Sequence, residues 1–317
     1  MPNLDGGHYF LTVLAPVNDA QPIRHDGMIS SPVHMLRDAL ETLPTALQSP
    51  ATEATGINSP FSRSRRTHFA RFAVIDDVFF NGRDPADSIR TAALGPDPIV
   101  ARPVDHLPCP YLLFAAEFDP AGDGAAEPRS YLEELWGLAA DELRAVFRYC
   151  RGFGSEMNGA GFADFILARQ IETTMPFNDY WVGAPPLPNQ LWWLIAAVVG
   201  GAAAGGAGFW VFQTLHAPLW MVCAGSVMLF AAVGVALAYA LVMALGRRPF
   251  PAAPNATLPH VLKALYLQQA FTRFASAHQA ESPAELRGAF ADFVAAHRPA
   301  DLAGPTQPPG VVRTLGA

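Results

Sequence analysis

The sequence predicts an α+β fold, in which an antiparallel sheet domain precedes a two-helix transmembrane hairpin and a helical tail. Three observations predict it. Strand-like and helix-like segments alternate in the first 185 residues, two long charge-free apolar segments follow, and the remaining residues contain two stretches of helical periodicity. These features divide the chain into a sheet domain at 1–185, a hairpin at 191–246 and a tail at 249–317.

The order of its segments predicts the topology of the sheet domain. Strands are expected at 8–16, 67–77, 111–119 and 175–183, and helices at about 31–43, 130–150 and 161–173. Ser31 and Pro32 form a good start for the first helix, and Pro44 ends it. Apart from the short helix, the order is βαββαβ, the ferredoxin-like pattern of a four-stranded antiparallel sheet with helices on one face. The open face must be covered by a partner, another element or a ligand.

The two apolar segments predict a membrane anchor. No charged residue occurs in 191–212 or in 219–245, and each segment exceeds the roughly 20 residues that a helix needs to cross the hydrocarbon core. Intramembrane ionisable groups usually mark ion or proton pathways, and their absence from the sequence of both segments favours an anchor over a channel or transporter.

The flanking charges predict the orientation of this anchor. Arg247 and Arg248 follow the second segment, whereas the link at 213–218 contains no Lys or Arg. The positive-inside rule therefore places both termini in the cytoplasm and predicts a two-pass protein of the cell membrane. Ala197, Gly201 and Gly205 recur every four residues and form a smooth helix face. We expect this face to pack on the second helix of the hairpin, and homodimerisation through it is the alternative.

The tail is predicted to contain two amphipathic helices. The first covers about 258–278, and the second begins with Ser282 as N-cap, Pro283 at the first helical position and Glu285 at the third, which is a capping box. Residues 304–317 are expected to form an unstructured end.

Charge and composition exclude several classes of function. The net charge is −7, and residues 1–190 contain 14 arginines against 24 acidic residues, which argues against nucleic acid as a partner. The three cysteines, Cys109, Cys150 and Cys223, show no CxxC pair, so we expect neither a disulfide framework nor a zinc site. GxGxxG, GxxxxGK[ST], GxSxG and HExxH motifs are absent from the sequence. No metal site is predicted, and no cofactor can be assigned.

Two strands carry a resemblance to known families. The βαββαβ order resembles the dimeric α+β-barrel group, in which two sheets pack face to face around a pocket that serves monooxygenases, chlorite dismutases and dye-decolorising peroxidases. "HFARFAVIDD" and "LLFAAEFDPAGDG" also resemble an uncharacterised bacterial membrane-anchored family with HFARW-type and FDG-type strands. The resemblance covers about residues 8–182. It implies a homodimer through the sheet face, but no stretch matches the peroxidases' GxxDG and no haem-ligating His can be assigned.

Arg71 and Glu117 are the candidate catalytic residues. Strand alternation places Arg71 on the open face of its strand and Glu117 on the same face of the next strand. If Asp77 lies near Tyr111, antiparallel pairing brings Arg71 opposite Glu117. The pair is then either a structural cross-strand ion pair or a polar anchor in a pocket over the sheet face.

The other polar residues of this region are expected to have structural roles. His68 belongs to the opposite alternation set from Arg71, and Asp76 and Asp77 stand at a turn, where acidic residues usually cap the turn or face water. His106 and Cys109 lie in a Pro-rich loop.

The predicted function is a membrane-anchored, cytosol-facing binding or assembly module, with the lipid bilayer as a partner. The alternative is a membrane-associated, oxidoreductase-like enzyme that acts on an apolar or lipid-derived substrate in a pocket over the sheet face. The sequence leaves open whether the protein is an enzyme, and a channel-like or signalling role is a third possibility.

Overall fold

The computed structural model describes residues 3–311, apart from 21, 26, 48, 77–106, 123–126, 173–179, 184, 186–190 and 216–217. The chain forms two compact units. The first comprises Met1–Gly7 and Thr174–Pro254 and contains the apolar helices, and the second comprises His8–Thr173 and Asn255–Ala317. We call them the hairpin unit and the sheet unit. The tail, which the sequence sets apart, thus belongs to the same unit as the sheet.

The fold is α+β. The sheet unit contains an antiparallel sheet formed by β2 (His8–Pro16), β5 (Thr67–Ile75), β6 (Tyr111–Phe118) and β7 (Gln170–Ile171), and the short strand β1 (Leu4–Asp5) belongs to the hairpin unit. Strand β6 lies between β2 and β5, and β7 pairs with the other edge of β2. A separate two-stranded ribbon consists of β3 (Ile23–His25) and β4 (Met28–Ser30). The predicted strand at 8–16 is confirmed, and those predicted at 67–77 and 111–119 begin at the expected residues.

The position predicted for the fourth strand was wrong. The segment that pairs with β2 is Gln170–Ile171, whereas 180–183 form no strand and 175–179 lie outside the described residues. The physical reason is the early end of the preceding helix, at Leu167, so that the chain reaches the sheet edge sooner. The Leu14 amide already donates to the carbonyl of Arg169, at 3.2 Å.

The described residues of the sheet unit before the tail contain four α-helices: α1 (Pro32–Glu41), α2 (Pro50–Thr55), α3 (Glu127–Phe147) and α4 (Gly159–Leu167). Ser31 caps α1 as predicted, because its side chain accepts from the His34 amide at 3.1 Å. Helix α3 contains one non-helical residue, Ala139.

One face of the sheet packs on the helices and forms the hydrophobic core. Alternate residues of β2 and β6 point into it and meet α3 and α4, and its largest buried side chains include Leu11, Leu112, Phe114, Phe118, Tyr131, Leu132, Leu135, Phe147, Phe162 and Ile166. The Phe118 and Tyr131 rings stack with centroids 3.7 Å apart. Burial of each such side chain contributes about 1.5–3 kcal/mol. The other face presents Tyr111, Leu113, Ala115 and Glu117, all of them half-buried.

The hairpin unit contains two long helices in contact, α5 (Leu191–Thr214) and α6 (Leu219–Gly246). Residues 195–214 and 219–246 are long and apolar enough to cross a membrane. Gly201 and Gly205 of α5 face α6: a Cβ on Gly205 would lie 3.0 Å from Phe230 Cβ, and one on Gly201 would lie 3.1 Å from the Phe230 carbonyl oxygen. The prediction that the small-residue face packs on the second helix is confirmed.

The tail contributes α7 (Leu258–Ala277) and α8 (Pro283–His297) to the sheet unit. The predicted capping box of α8 is confirmed: the Ser282 side chain accepts from the Glu285 amide, and the Glu285 carboxylate accepts from the Ser282 amide. Thr257, at the start of α7, makes no side-chain capping bond. Buried Lys263 donates to the carbonyls of His297 and Pro305, both at 2.8 Å, and so joins α7 to the end of α8.

The expectation that the chain after residue 303 is unstructured was wrong for 304–311. The Gly310 carbonyl accepts from the Leu47 amide at 2.8 Å, and the Pro309 carbonyl accepts from Asn58 at 3.0 Å. Gly310 has a φ of 71°, and a Cβ there would lie 2.7 Å from the Asn58 side-chain oxygen. Glycine therefore allows this segment to lie against the loop around Asn58. Residues 312–317 lie outside the described residues.

Candidate functional site

Three strand ends meet at one edge of the sheet. Because β2 and β5 both run antiparallel to β6, their first residues lie beside its last. His8 opens β2, His68 is the second residue of β5, and Asp119 follows β6 directly. One nitrogen of each imidazole and a carboxylate oxygen of Asp119 lie within 4.8 Å of one another. We call His8, His68, Glu117 and Asp119 the sheet-edge cluster.

A β-bulge brings His68 into this cluster. Thr67 pairs with Phe118 and Phe69 pairs with Glu117, so His68 is an extra residue on its strand. Regular alternation had predicted that His68 lies on the face opposite to Arg71. The bulge interrupts that alternation, and the imidazole instead contacts Asp119. The prediction for His68 was therefore wrong.

The distances within the cluster are short. His68 Nε2 lies 2.9 Å and His8 Nδ1 3.3 Å from Asp119 Oδ1. The two imidazole rings meet edge to face, with centroids 4.6 Å apart. Glu117 Oε1 lies 4.0 Å from His8 Nδ1. His8 is only 1% exposed and Asp119 8% exposed, so the groups interact in an environment that largely excludes water.

Hydrogen bonds with Leu258 and Arg66 hold Asp119 in place. Its second carboxylate oxygen, Oδ2, accepts from the Leu258 amide at 2.7 Å, at the first turn of α7. Its own amide donates to the Arg66 carbonyl, and its carbonyl accepts from Arg66 Nε, both at 2.8 Å. Asp119 thus supplies the capping acceptor that Thr257 does not, and its charge is favourable at a helix N-terminus.

Burial and hydrogen bonding act in opposite directions on the two carboxyl groups. Burial alone raises the pKa of Asp119, but hydrogen bonds from His68, His8 and the Leu258 amide outweigh it, and the pKa lies well below its usual range. Burial raises the pKa of Glu117, although both imidazoles oppose the increase. Glu117 Oε1 is buried and has no hydrogen-bond partner among the described residues. Asp119 is therefore the anionic centre of the cluster.

The nearby arginine is engaged elsewhere. The Arg66 guanidinium donates to Glu127 at 2.7 Å and to Glu134 at 3.1 Å, and only its Nε reaches the Asp119 backbone. Within the described part of the chain, the only basic side chains within 4.0 Å of the Asp119 or Glu117 carboxylate are the two imidazoles.

The predicted pairing of Arg71 with Glu117 was wrong by two residues. Strand β5 ends at Ile75, which pairs with Tyr111, so that Arg71 pairs with Ala115 and Phe69 lies opposite Glu117. Arg71 is exposed, and its guanidinium carbon lies 6.0 Å from the centre of the Phe69 ring. The catalytic roles of Arg71 and Glu117 stay predictions.

A pocket of about 420 Å³ lies along β5 and places Arg71 near His68. Its lining includes both of these side chains together with Leu43, Phe61 and Phe69. The pocket is mainly apolar, with a cation and an imidazole on its wall. It gives a small ligand a position beside the sheet-edge cluster.

The remaining predicted polar residues lie outside the cluster. Asp76 is exposed and pairs with Arg37 at 3.1 Å, and Cys109 is buried. Asp77 and His106 lie outside the described residues.

Sequence reasoning missed His8 and Asp119, although a signal for them was present. In the predicted βαββαβ order, the starts of the first two strands lie beside the end of the third, and two histidines and two acidic residues stand at those positions.

Comparisons of the chain with protein-family models, curated proteins and solved structures find no match.

Proposed function

We propose that this protein is a membrane-anchored, cytosol-facing binding module. The hairpin unit is the anchor, and the sheet unit carries a ligand site at the sheet-edge cluster. The outward apolar surface of the hairpin is the observation that supports the anchor: among its exposed side chains are Val199, Trp210, Trp220, Met228, Val235 and Val242. A soluble monomer rarely exposes an apolar surface of this extent.

The charges beside the hairpin support the orientation. Arg247 and Arg248 directly follow α6, and the sequence of the link between the helices contains no Lys or Arg. We therefore propose a two-pass cell-membrane protein with both termini in the cytoplasm. The bilayer is its first partner.

We infer that the sheet unit has a ferredoxin-like fold. Its strand order, β7-β2-β6-β5, with all pairs antiparallel, supports this assignment. We also propose that two copies pair through the open face of this sheet, because Phe69 is 50% and Ile75 38% exposed on that face of β5.

Fractionation of cells that express the full chain tests the anchor. After alkaline carbonate extraction, the chain should stay in the membrane pellet, and a reporter fused to its C-terminus should be active in the cytoplasm. Release of the folded chain into the supernatant would exclude an integral anchor. A reporter active only on the far side of the membrane would contradict the orientation.

The pocket along β5 favours a second candidate function, a membrane-associated, oxidoreductase-like enzyme that acts on an apolar or lipid-derived substrate. An apolar cavity with Arg71 at its wall suits an apolar acid or a lipid-derived anion, with His68 beside it. Mass spectrometry of small molecules that copurify with the full chain tests this candidate. Such an anion should be retained by the wild type and lost from Arg71→Met. An absorption spectrum of the same sample reports any bound haem or flavin.

A further inference from the structure

We propose that the sheet-edge cluster binds one divalent transition-metal ion through His8 Nδ1, His68 Nε2, Asp119 Oδ1 and Glu117 Oε1. The inference specifies the ligand of the proposed site in the sheet unit and rests on that part of the proposed function, but it does not depend on the membrane anchor.

The spacing of the donor atoms fits a metal ion. Zinc binds imidazole nitrogen and carboxylate oxygen at about 2.0–2.2 Å, which puts two ligand atoms of one tetrahedral site about 3.3 Å apart. Asp119 Oδ1 lies 2.9 Å from the His68 nitrogen and 3.3 Å from the His8 nitrogen. The two imidazole nitrogens lie within 4.8 Å of each other. An ion at the common centre of the three atoms therefore requires these nitrogens to approach each other by at most about 1.5 Å.

Glu117 supplies the fourth ligand. Its Oε1 atom is buried and makes no hydrogen bond within the described part of the chain, and it lies 4.0 Å from His8 Nδ1. A buried polar oxygen without a partner is costly, and coordination of a cation removes that cost. Because no hydrogen bond holds Oε1, rotation of the side chain can bring it to the ion.

The charges of the cluster also favour a divalent cation. Two carboxylates lie within it, and no Lys or Arg side chain among the described residues pairs with either. With neutral imidazoles, a 2+ ion balances both carboxylates. Two nitrogen and two oxygen donors suit Zn²⁺, Fe²⁺ or Mn²⁺, whereas Mg²⁺ and Ca²⁺ prefer oxygen donors alone and Cu⁺ prefers sulfur.

The outer contacts hold Asp119 in place for this role. Its second oxygen accepts from the Leu258 amide, and its backbone is bonded in both directions to Arg66. Such outer partners orient a metal ligand. An ion at this site would join the ends of β2, β5 and β6 and, through Asp119, the first turn of α7. A site with four protein ligands and little exposure corresponds to a structural rather than an open catalytic centre.

Metal content and affinity of the full chain test the proposal. The protein is purified in detergent without a polyhistidine tag, stripped with a chelator and titrated with Zn²⁺, with Mg²⁺ as a control ion. We expect about one zinc per chain, no competition from Mg²⁺, and a rise in Tm of about 5 °C or more at a 100-fold excess of zinc over Kd.

Isosteric variants separate ligation from folding. Asp119→Asn keeps an oxygen for the Leu258 amide, and Glu117→Gln keeps the side-chain shape. Each should bind zinc at least about 10-fold more weakly. Loss of an outer partner weakens metal binding by up to roughly 100-fold, and His68→Ala, which removes a ligand, should weaken zinc binding by more than that. His34→Ala, at an exposed histidine of α1, is the matched control and should bind like the wild type.

A Co²⁺-substituted protein provides a readout that does not depend on stability. Its visible d–d bands should appear in the wild type and in His34→Ala and should be lost from His68→Ala. Stoichiometric, unweakened zinc binding by both Asp119→Asn and His68→Ala would overturn the proposal. So would a wild-type chain that stays in the membrane pellet but binds no zinc, and that result would leave the anchor standing.

Discussion

The hairpin unit exposes many of its large apolar side chains, whereas the sheet unit buries many of its own. In the hairpin, Met228 and Val235 are 72% and 70% exposed, while glycines of α5 form the contact with α6. In the sheet unit, Phe114 and Phe118 are fully buried, and the polar cluster stands at the sheet edge. Close backbone packing joins the helices of the first unit, and burial of side chains away from water stabilises the second. Large apolar side chains therefore form an outward surface in the hairpin unit and a buried core in the sheet unit.

Removal of a large buried ring should have the largest effect. Phe118→Ala deletes a side chain that stacks on Tyr131 and should lower the free energy of unfolding of the sheet unit by about 3–5 kcal/mol. Phe69→Ala, at a half-exposed position of the neighbouring strand, should cost less than about 1 kcal/mol. Denaturation of the full chain in detergent, followed by circular dichroism, measures both. Equal losses would contradict the assignment of the core to the helix-covered face.

Addition of a side chain should have the next largest effect, and it should depend on the helix face. Gly205→Leu forces α5 away from Phe230 and should destabilise the hairpin by about 1–3 kcal/mol. Gly206→Leu is the control, because a Cβ there has no neighbour within 4 Å among the described residues. Cross-linking of cysteines introduced on α5 and α6 reports the packing. A larger loss from Gly206→Leu would indicate that the opposite face of α5 forms the contact.

The two tail helices should respond differently to loss of their N-cap residues. Ser282→Ala removes the capping box of α8 and should cost about 1 kcal/mol. Thr257→Ala should lower the free energy of unfolding by only a few tenths of that amount, because Asp119, rather than Thr257, accepts from the Leu258 amide. Hydrogen exchange in the first turn of each helix measures the difference. An equal increase in exchange rate would show that Asp119 is not the cap of α7.

The smallest effect concerns the reactivity of a core thiol. Cys150 is 3% exposed, and burial raises its pKa to about 12, so the reactive thiolate is scarce at neutral pH. We expect no alkylation of Cys150 in the native protein and complete alkylation after denaturation, with mass spectrometry as the readout. Rapid modification under native conditions would show that this part of the core opens to solvent.

Local sequence signals predicted much of the fold. The strand at 8–16, the Ser31 and Ser282 caps and the two apolar helices are each encoded in one continuous stretch of sequence, and all five appear where expected. Long-range contacts account for the errors. The last strand depends on where α4 ends, and the closing segment is held by a loop more than 250 residues earlier in the sequence.

The candidate site shows the same division. The βαββαβ order alone brings the starts of the first two strands beside the end of the third, so the neighbourhood of His8, Glu117 and Asp119 was predictable. The direction of His68 was not, because the bulge depends on how β5 pairs with β6 rather than on the residues of β5. The pairing predicted for Arg71 failed for a separate reason: Ile75, rather than Asp77, lies opposite Tyr111, so that Arg71 pairs with Ala115.

X-ray absorption spectroscopy of the zinc-loaded full chain tests the central claim most directly. We expect only nitrogen and oxygen neighbours at about 2.0–2.2 Å, with the outer-shell scattering of two imidazoles, and loss of this pattern in His68→Ala. A zinc–sulfur distance of about 2.3 Å would assign the ion to a cysteine instead and contradict a metal site at the sheet edge.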